Sequence, residues 1–345
     1  FGEGGKLQTA KPIFDAAENF FFAPATRTPG VPHVRDPLDI KRFMSMVIIA
    51  LMPCVVASVY FFGLRVLAMI VVSYAVGGAV EVAFAIVRKE EINEGLLVTG
   101  LLFPLILPPA TPLWMVAVGV AFGVIVGKEL FGGTGRNLFN PALVGRCFLA
   151  LAYPKDMSSS WVKPIAEFPG RLTQYISSSS VDAVTSATPL GMARQNQLTN
   201  LSDMFFGNVS GSAGETSALL IIIGGVFLLL VRVANWRTVV GVLGGFMLLS
   251  AVLHWSAPET VLWRMLGGGL LFGAFFMATD PVTSPITNAG KWVYGMIIGF
   301  VTVLIRNFTG YVEGVTFAIL LGNITAPILD DVVVRFRIRR WRNER

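Results

Sequence analysis

Ten long apolar runs dominate this sequence, and they restrict the chain to a fold built inside a membrane. Most of them approach the roughly 20 residues that an α-helix needs to cross the hydrocarbon core of a bilayer. Only 14% of the 345 residues are charged, whereas soluble domains contain about 25%. We therefore expect an all-α polytopic membrane protein with about ten transmembrane helices. The runs cover residues 42–62, 66–87, 95–108, 113–131, 140–153, 217–234, 238–254, 261–278, 291–307 and 313–333.

The positive charges predict how these spans are oriented. Ten spans place both termini on one side, and the cations of the short loops collect on that side. By the positive-inside rule this side is the cytoplasm, so the loop 154–215 is periplasmic in a bacterial inner membrane. Because the cations lie beside spans, the net charge of +6 does not indicate nucleic-acid binding. They are Lys41, Arg42, Arg88, Lys89, Lys128, Arg136, Arg232, Arg237, Lys291 and the arginines of the tail 334–345.

Five runs precede the long loop and five follow it, which predicts two transmembrane repeats, residues 42–153 and 216–333. The Gly-Leu-Leu-Phe sequence of residues 100–103 recurs at 269–272. Five is an odd number, so the two copies are expected to be inverted in the membrane, an arrangement that brings broken helices together near its midplane. Chance similarity between Leu- and Gly-rich spans is the alternative explanation.

The remaining segments are polar. Residues 1–41 form an N-terminal arm in which Phe14, Ala17, Phe20 and Phe21 recur at helical spacing. This pattern indicates a short amphipathic helix lying on the membrane surface. The basic tail 334–345 ends the chain on the cytoplasmic side.

The counts of cysteine and histidine limit the redox chemistry of the chain. Its two cysteines, Cys54 and Cys147, do not suffice for an iron–sulfur cluster with four thiolate ligands. Its two histidines, His33 and His254, do not suffice for a three-histidine metal site. We predict no metal centre within this chain, so an electron carrier of its own would be organic.

The Ser-rich loop contains one distinctive pattern, the segment Asp182 to Thr188. Thr188 is preceded by Ala187, by the small Ser186, by Thr185 at minus three and by Asp182 at minus six. A reaction at the Thr188 hydroxyl needs that hydroxyl to be exposed and its neighbours to be small. A loop of about 60 residues is also longer than a structural connection normally requires. A solvated Ser-rich linker is the alternative.

This segment resembles the flavinylation motif, Asp-x-x-Ser/Thr-small-Ala-Thr, of membrane subunits of the sodium-pumping NADH:quinone reductase and of the related Rnf complex. Ser186 replaces the commoner Gly of that motif. The resemblance extends over essentially the whole chain and is strongest in residues 33–42, 87–95, 127–137 and 275–282.

The resemblance implies a subunit of a larger redox complex, with no catalytic residue of its own because it lacks an NADH-binding fold. It implies FMN bound to Thr188 through a phosphoester, attached by a flavin transferase. It also implies non-covalent riboflavin between spans, and electron relay towards quinone coupled to Na⁺ transport. In that setting the phenylalanines of the arm would cover a quinone headgroup.

Residues 132–137 form a Gly-rich connection with two interpretations. The sequence lacks the spacing of a dinucleotide fingerprint and follows a membrane helix, so a helix-ending turn is the simpler one. The other is a backbone approach to flavin or quinone, with contacts from Gly132, Gly133, Arg136 and Asn137.

Carboxylates in or beside apolar spans are further candidates, since burial of a charge there is costly. The spacing places Phe272, Phe276 and Asp280 on one helical face, which the resemblance connects with cation passage; Glu94 is a second candidate for an ion path. The alternative is a hydrated acid at a helix end with aromatic packing. Glu81, inside the second run, has two potential partners, Arg65 and Lys128.

Four functional interpretations remain open, one of which is a purely structural scaffold for the assembly of a complex. The length of the arm favours the quinone-reductase member of the resembled family. Residues 188–190 and 324–327, and the short connection between the first two runs, favour the Rnf member, which transfers electrons between ferredoxin and NAD. A different class, a channel or transporter of the urea or ammonium type, is compatible with two five-span repeats.

Overall fold

The protein is helical throughout the part of the chain that its computed structural model describes. The described residues are 40–89, 95–159, 161–165, 167, 170–172, 174–175, 188–193, 198–255, 259–309, 311 and 314–343. The predicted amphipathic helix of the arm lies outside them. Helices and turns, with no β-strand, make up the described ranges, which confirms the all-α prediction.

The first half contains six α-helices in its described residues. They are α1 (Ile40–Phe62), α2 (Arg65–Arg88), α3 (Gly95–Leu105), α4 (Leu113–Gly127), α5 (Pro141–Ala152) and α6 (Pro154–Ser159). Two short helices of the long loop follow, α7 (Pro189–Ala193) and α8 (Leu201–Phe206). The second half contains α9 (Ala218–Leu230), α10 (Trp236–Leu253), α11 (Glu259–Leu266), α12 (Leu270–Phe272), α13 (Asn288–Phe308) and α14 (Val315–Asn343).

Every predicted apolar run is occupied by a helix, but the helices differ in length. Six helical segments are long and apolar enough to span a membrane: α1, α2, α10, α13, α14, and α4 together with the 3₁₀ turn that follows it, Leu113–Phe131. Thr260–Leu266 and Leu270–Met277 pass the same test as a pair, bent by 64° at the break between them. Three apolar helices, α3, α5 and α9, have between 10 and 17 residues. By length the structure therefore supports six or seven spans, and the ten-span topology stays a prediction.

Glycines allow close contacts between helices in both halves. A Cβ atom added at Gly299 of α13 would lie 2.4 Å from the Phe246 amide nitrogen of α10, and one at Gly123 of α4 would lie 2.4 Å from the Pro141 carbonyl of α5. Backbones that approach this closely are typical of helix pairs in membranes. In the first half α4 packs against α2 and α5, and in the second half α13 packs against α10 and α14. This shared order agrees with two repeats, but their inverted relation stays a prediction.

The end of the long loop is joined to a broken part of the first half. The Ala213 amide donates to the Leu107 carbonyl at 3.0 Å, and the Gly214 amide donates to the Leu105 carbonyl at 2.7 Å. Both acceptors lie at or just beyond the end of α3, where Pro104 and Pro108 prevent a regular helix. The loop is therefore held against the ends of the helices.

Candidate functional site

Thr188 is the only member of the predicted flavinylation motif among the described residues. The Gly191 amide donates to Thr188 Oγ1 at 3.2 Å, and the Met192 amide donates to its carbonyl at 2.9 Å. Thr188 therefore caps α7, and Pro189 takes the first helical position, where a missing amide hydrogen costs nothing. Thr188 is only 9% exposed. This differs from the expectation of an exposed acceptor, because α7 packs through Leu190 onto Met204 and Trp263.

The other motif residues, Asp182, Thr185, Ser186 and Ala187, lie outside the described residues, as does the ion-path candidate Glu94. Their predicted roles stay predictions.

A small cavity, lined mainly by apolar atoms with a few polar groups among them, adjoins Thr188. Its walls are the start of α7, residues 209–216 and the glycine turn after α11. The cavity has a volume of about 20 Å³, which is room for about one water molecule and far less than a three-ring isoalloxazine needs. Hydroxyl and carboxylate groups face it from Ser210, Ser212, Glu215 and Thr216.

Glu215 is the charged member of this lining. Its Oε1 pairs with Arg146 Nη1 at 3.2 Å, and the two side chains are 3% and 6% exposed. Arg146 Nη2 donates to Ser212 Oγ at 3.3 Å. Glu215 Oε2 is buried without a hydrogen-bond partner among the described residues. Because an unsatisfied buried acceptor costs about 1–3 kcal/mol, this oxygen is suited to a donor that the chain itself does not supply.

A second cavity lies between the two halves, and it brings together several of the predicted residues. It consists of two adjoining volumes of about 60 Å³ and 40 Å³ that share Met44, Val98, Leu102, Asn140 and Asp280. The larger volume is also lined by Lys128, Thr134 and Asn137, and the smaller by Phe276 and Thr279. The two sites lie near opposite ends of the bundle. Helix α13 starts near Asp280 and reaches Arg306, which lies beside the Thr188 cavity. At 1.5 Å per residue, the start of α13 and Arg306 are about 27 Å apart.

Asp280 is held by the turn that follows the bent helix pair. The Thr283 hydroxyl donates to Asp280 Oδ2 at 2.8 Å. Burial raises the pKa of Asp280, and hydrogen bonds from Thr283 and from the Val282 amide oppose that effect. The carboxyl group is thus disposed to exchange a proton or a cation at the wall of the cavity.

The predicted common helical face of Phe272, Phe276 and Asp280 is wrong in its geometry. Residues 273–277 form a π-helical turn, in which the Ala278 amide donates to the Gly273 carbonyl, and the helix ends before Asp280. Phe272 and Phe276 have ring centroids 5.0 Å apart. Only Phe276 lines the cavity together with Asp280, since the wider turn changes the register of side chains.

Residues 132–137 form the predicted helix-ending turn. Gly132, Gly133 and Gly135 have φ angles of +108°, +90° and +88°, which favour glycine over residues with a Cβ. Arg136 is exposed, whereas Asn137 is buried and lines the larger volume. Of the four residues predicted to contact flavin or quinone, Asn137 is the one that lines a described cavity, together with Thr134 of the same turn.

Lys128 resolves the predicted alternatives for Glu81. Its Nζ donates to Glu81 Oε1 at 2.7 Å, and Arg65 instead donates to the Ala110 and Thr111 carbonyls. The neighbouring Glu129 pairs with Arg88 at 2.9 Å.

Sequence reasoning missed Glu215, Arg146, Arg306 and Asn140. Arg146 and Arg306 lie within apolar helices, and a charge in such a place is a signal for function. Asn140 precedes Pro141, and its side chain caps α5 by accepting from the Ala142 amide at 3.0 Å. Glu215 gives no signal in the sequence, because its burial depends on the return of the loop to the bundle.

The fold and the two sites define a helical membrane protein with a small cavity near either end of the bundle. The profile of the NQR2, RnfD, RnfE family matches residues 27–339, and the chain belongs to this family. Curated relatives include a protein of Klebsiella pneumoniae strain 342, 38% identical over 99% of this chain and 96% of its own length. Others come from Ectopseudomonas mendocina and Azotobacter vinelandii, each 37% identical over 99% of this chain and 95% of its own. All three are named as the B component of the Na⁺-translocating NADH-quinone reductase.

Proposed function

We propose that this chain is the B component of a Na⁺-translocating NADH:quinone reductase and that it carries FMN on Thr188 through a phosphoester bond. The observation that carries the proposal is the position of Thr188 beside a cavity that hydroxyl groups and Glu215 help to line, in a chain similar to such components over almost its whole length. FMN, when bound, supplies the electron carrier that the side chains of this chain lack. With FMN attached, this chain would take part in electron transfer towards quinone within the complex.

The residues beside Thr188 include polar groups that would contact the phosphate end of FMN once the cavity, which now has room for about one water molecule, widens. Hydroxyl groups line the cavity, and Glu215 Oε2 is a buried acceptor without a partner among the described residues. The isoalloxazine is too large for the cavity, so it lies outside it, towards the periplasm and the neighbouring subunits. The role of this chain is to hold the phosphate tether and to orient the attached group.

The burial of Thr188 bears on how a flavin transferase reaches it. Residues 188–193 pack onto α8 and α11 through apolar contacts of Leu190. We infer that attachment takes place with α7 undocked from this surface, and that docking then buries the new bond. The segment 182–187 presents the motif to the transferase on the periplasmic side of the bacterial inner membrane.

The cavity at Asp280 is assigned to the Na⁺ path. It combines the Asp280 carboxylate with the amides of Asn137 and Asn140 and with Lys128, whose charge is balanced by Glu81, and it has room for a few water molecules. The carboxylate and the amides supply oxygen ligands of the kind that hard cations prefer. The same two amides are candidates for the polar edge of non-covalent riboflavin or of quinone, with Gly132, Gly133 and Arg136 at the adjacent turn, and Glu94 is a further candidate on the ion path.

The test uses the complex produced together with its transferase and separated on a denaturing gel. Flavin fluorescence is expected on this chain in wild type and in Thr188→Ser, and is expected to vanish in Thr188→Val, which has a similar shape but no hydroxyl. A non-fluorescent wild-type band would overturn the proposal and favour a transporter without a redox group.

A second candidate function is that of the Rnf member of the family. It is favoured by the direct connection of α1 to α2 through Gly63 and Leu64. Purified complex that reduces quinone with NADH supports the first function. Complex that instead reduces NAD with ferredoxin and leaves quinone unchanged supports the second.

A further inference from the structure

Two buried arginines from different halves of the bundle approach the Thr188 cavity. Arg146 of α5 and Arg306 of α13 are 5% and 7% exposed. Arg306 Nη1 donates to the Arg264 carbonyl at 2.7 Å, and its guanidinium lies over the Phe246 ring at 5.3 Å. Glu215 is within electrostatic range of Arg306 and pairs directly with Arg146. Three charged groups are thus gathered at a place where charge is costly.

The glycine turn 267–269 brings these groups to the flavin attachment segment. A Cβ atom at Gly268 would lie 2.7 Å from Leu190 Cδ1 and 3.1 Å from Arg306 Nη2. One at Gly269 would lie 2.4 Å from Glu215 Oε1. The absence of side chains at these two positions therefore allows Arg306 to approach α7 and Glu215 to approach the turn.

The sign of the charge indicates which ligand the site takes. Two guanidinium groups and one carboxylate leave one net positive charge among Arg146, Glu215 and Arg306. Such a set favours an anion over a cation, and guanidinium groups are well matched to phosphate. Glu215 Oε2, which has no partner among the described residues, is in turn suited to a hydroxyl donor.

We propose that Arg306, Arg146 and Glu215 form the binding site of the ribityl phosphate that links FMN to Thr188. The positive charge of Arg306 balances the negative charge of the phosphodiester, while Arg146 balances Glu215. The Glu215 Oε2 atom accepts a hydrogen bond from a ribityl hydroxyl. This inference rests on the proposed function. It makes the three side chains positioning residues that hold the tether and set the electrostatic potential at the flavin.

The test is a redox titration of the intact complex, in which the signal of the Thr188 flavin is assigned by its loss in Thr188→Val. Removal of a positive charge in Arg306→Met disfavours the added electrons and is expected to lower the midpoint potential. Arg306→Lys, which keeps the charge, is expected to restore it in large part. Glu215→Gln removes a negative charge and is expected to raise the potential.

Opposite shifts in Arg306→Met and Glu215→Gln are the diagnostic result, because a general packing defect has no reason to change sign with the charge. The matched control is Arg237→Met. Arg237 lies at the N-terminal end of α10, and its replacement is expected to leave the midpoint potential at the wild-type value. Intact mass of each variant measures how much of the chain carries FMN, and lower occupancy is expected in Arg306→Met.

Two failures are distinguishable. Wild-type chain without FMN would overturn the proposed function itself. If the Arg306→Met and Glu215→Gln variants carry FMN and have the wild-type midpoint potential, the proposed phosphate-binding site is contradicted. The proposed function is then unaffected.

Discussion

Lys128 donates a 2.7 Å hydrogen bond to Glu81 between α2 and the end of α4, where the two side chains are 4% and 6% exposed. Lys128 also lines the cavity that contains Asp280. A buried ion pair contributes little by itself, but the loss of one partner leaves an uncompensated charge. We therefore expect Lys128→Met to lower the free energy of unfolding by about 3–5 kcal/mol, measured by thermal unfolding in detergent.

The double variant Glu81→Leu with Lys128→Met is the control for this prediction. It removes both charges, so it is expected to recover most of the lost stability. An equal loss in the double variant would show that the pair matters for packing rather than for charge balance.

Close packing of α10 on α13 gives a second prediction. Gly299 has no space for a side chain, since a Cβ atom there would lie 2.4 Å from both the Phe246 nitrogen and the Val242 oxygen. We expect Gly299→Leu to destabilise the protein by at least about 1–3 kcal/mol through overpacking. Gly244→Leu, at an exposed position with nothing within 4 Å, is expected to stay within about 0.5 kcal/mol of wild type. Equal effects would contradict the helix contact.

The raised pKa of Asp280 predicts a pH-dependent stability. A carboxyl group with a raised folded-state pKa is most favourable below its unfolded value, and that contribution is lost as the pH rises through the folded value. In the absence of Na⁺, Asp280→Asn is therefore expected to melt above wild type at neutral pH and to match it in acid. The check is a series of melting curves across pH. If Asp280→Asn melts at or below the wild-type temperature at neutral pH, the charged Asp280 carboxylate does not destabilise the folded protein, and the prediction is wrong.

A titration with Na⁺ distinguishes whether Asp280 binds the cation or is only a carboxyl group destabilised by burial. If Asp280 contacts the cation, wild type gains thermal stability on titration with NaCl while Asp280→Asn gains less. KCl at the same ionic strength is the control. Identical responses to both salts, and in both proteins, would remove Asp280 from the Na⁺ path.

The membrane helices follow from the sequence because an apolar run of sufficient length has few alternatives to a helix in a bilayer. Each of the ten runs is occupied by helix, and the short third and fifth runs become the short helices α3 and α5. The bend after α11 is less accessible to sequence reasoning. A turn of three glycines marks the break, but its 64° angle depends on the packing of Leu190 and Glu215 against it.

The candidate sites were predictable only in part. The pattern around Thr188 and the cost of buried charge at Asp280 pointed to two residues that line cavities in the structure, and their roles stay predictions. The π-helical turn was not foreseen, because the choice between four- and five-residue hydrogen bonds is made by tertiary contacts rather than by local sequence. The pairing of Arg146 with Glu215 joins residues 69 positions apart, a contact that no periodicity predicts.

The most direct test of the account is the intact mass of this chain isolated from the active complex. We expect a wild-type mass larger than that of the polypeptide by one FMN less one water, the unmodified mass in Thr188→Val, and the added mass again in Thr188→Ser. An unmodified wild-type chain from a complex that turns over normally would contradict the central claim.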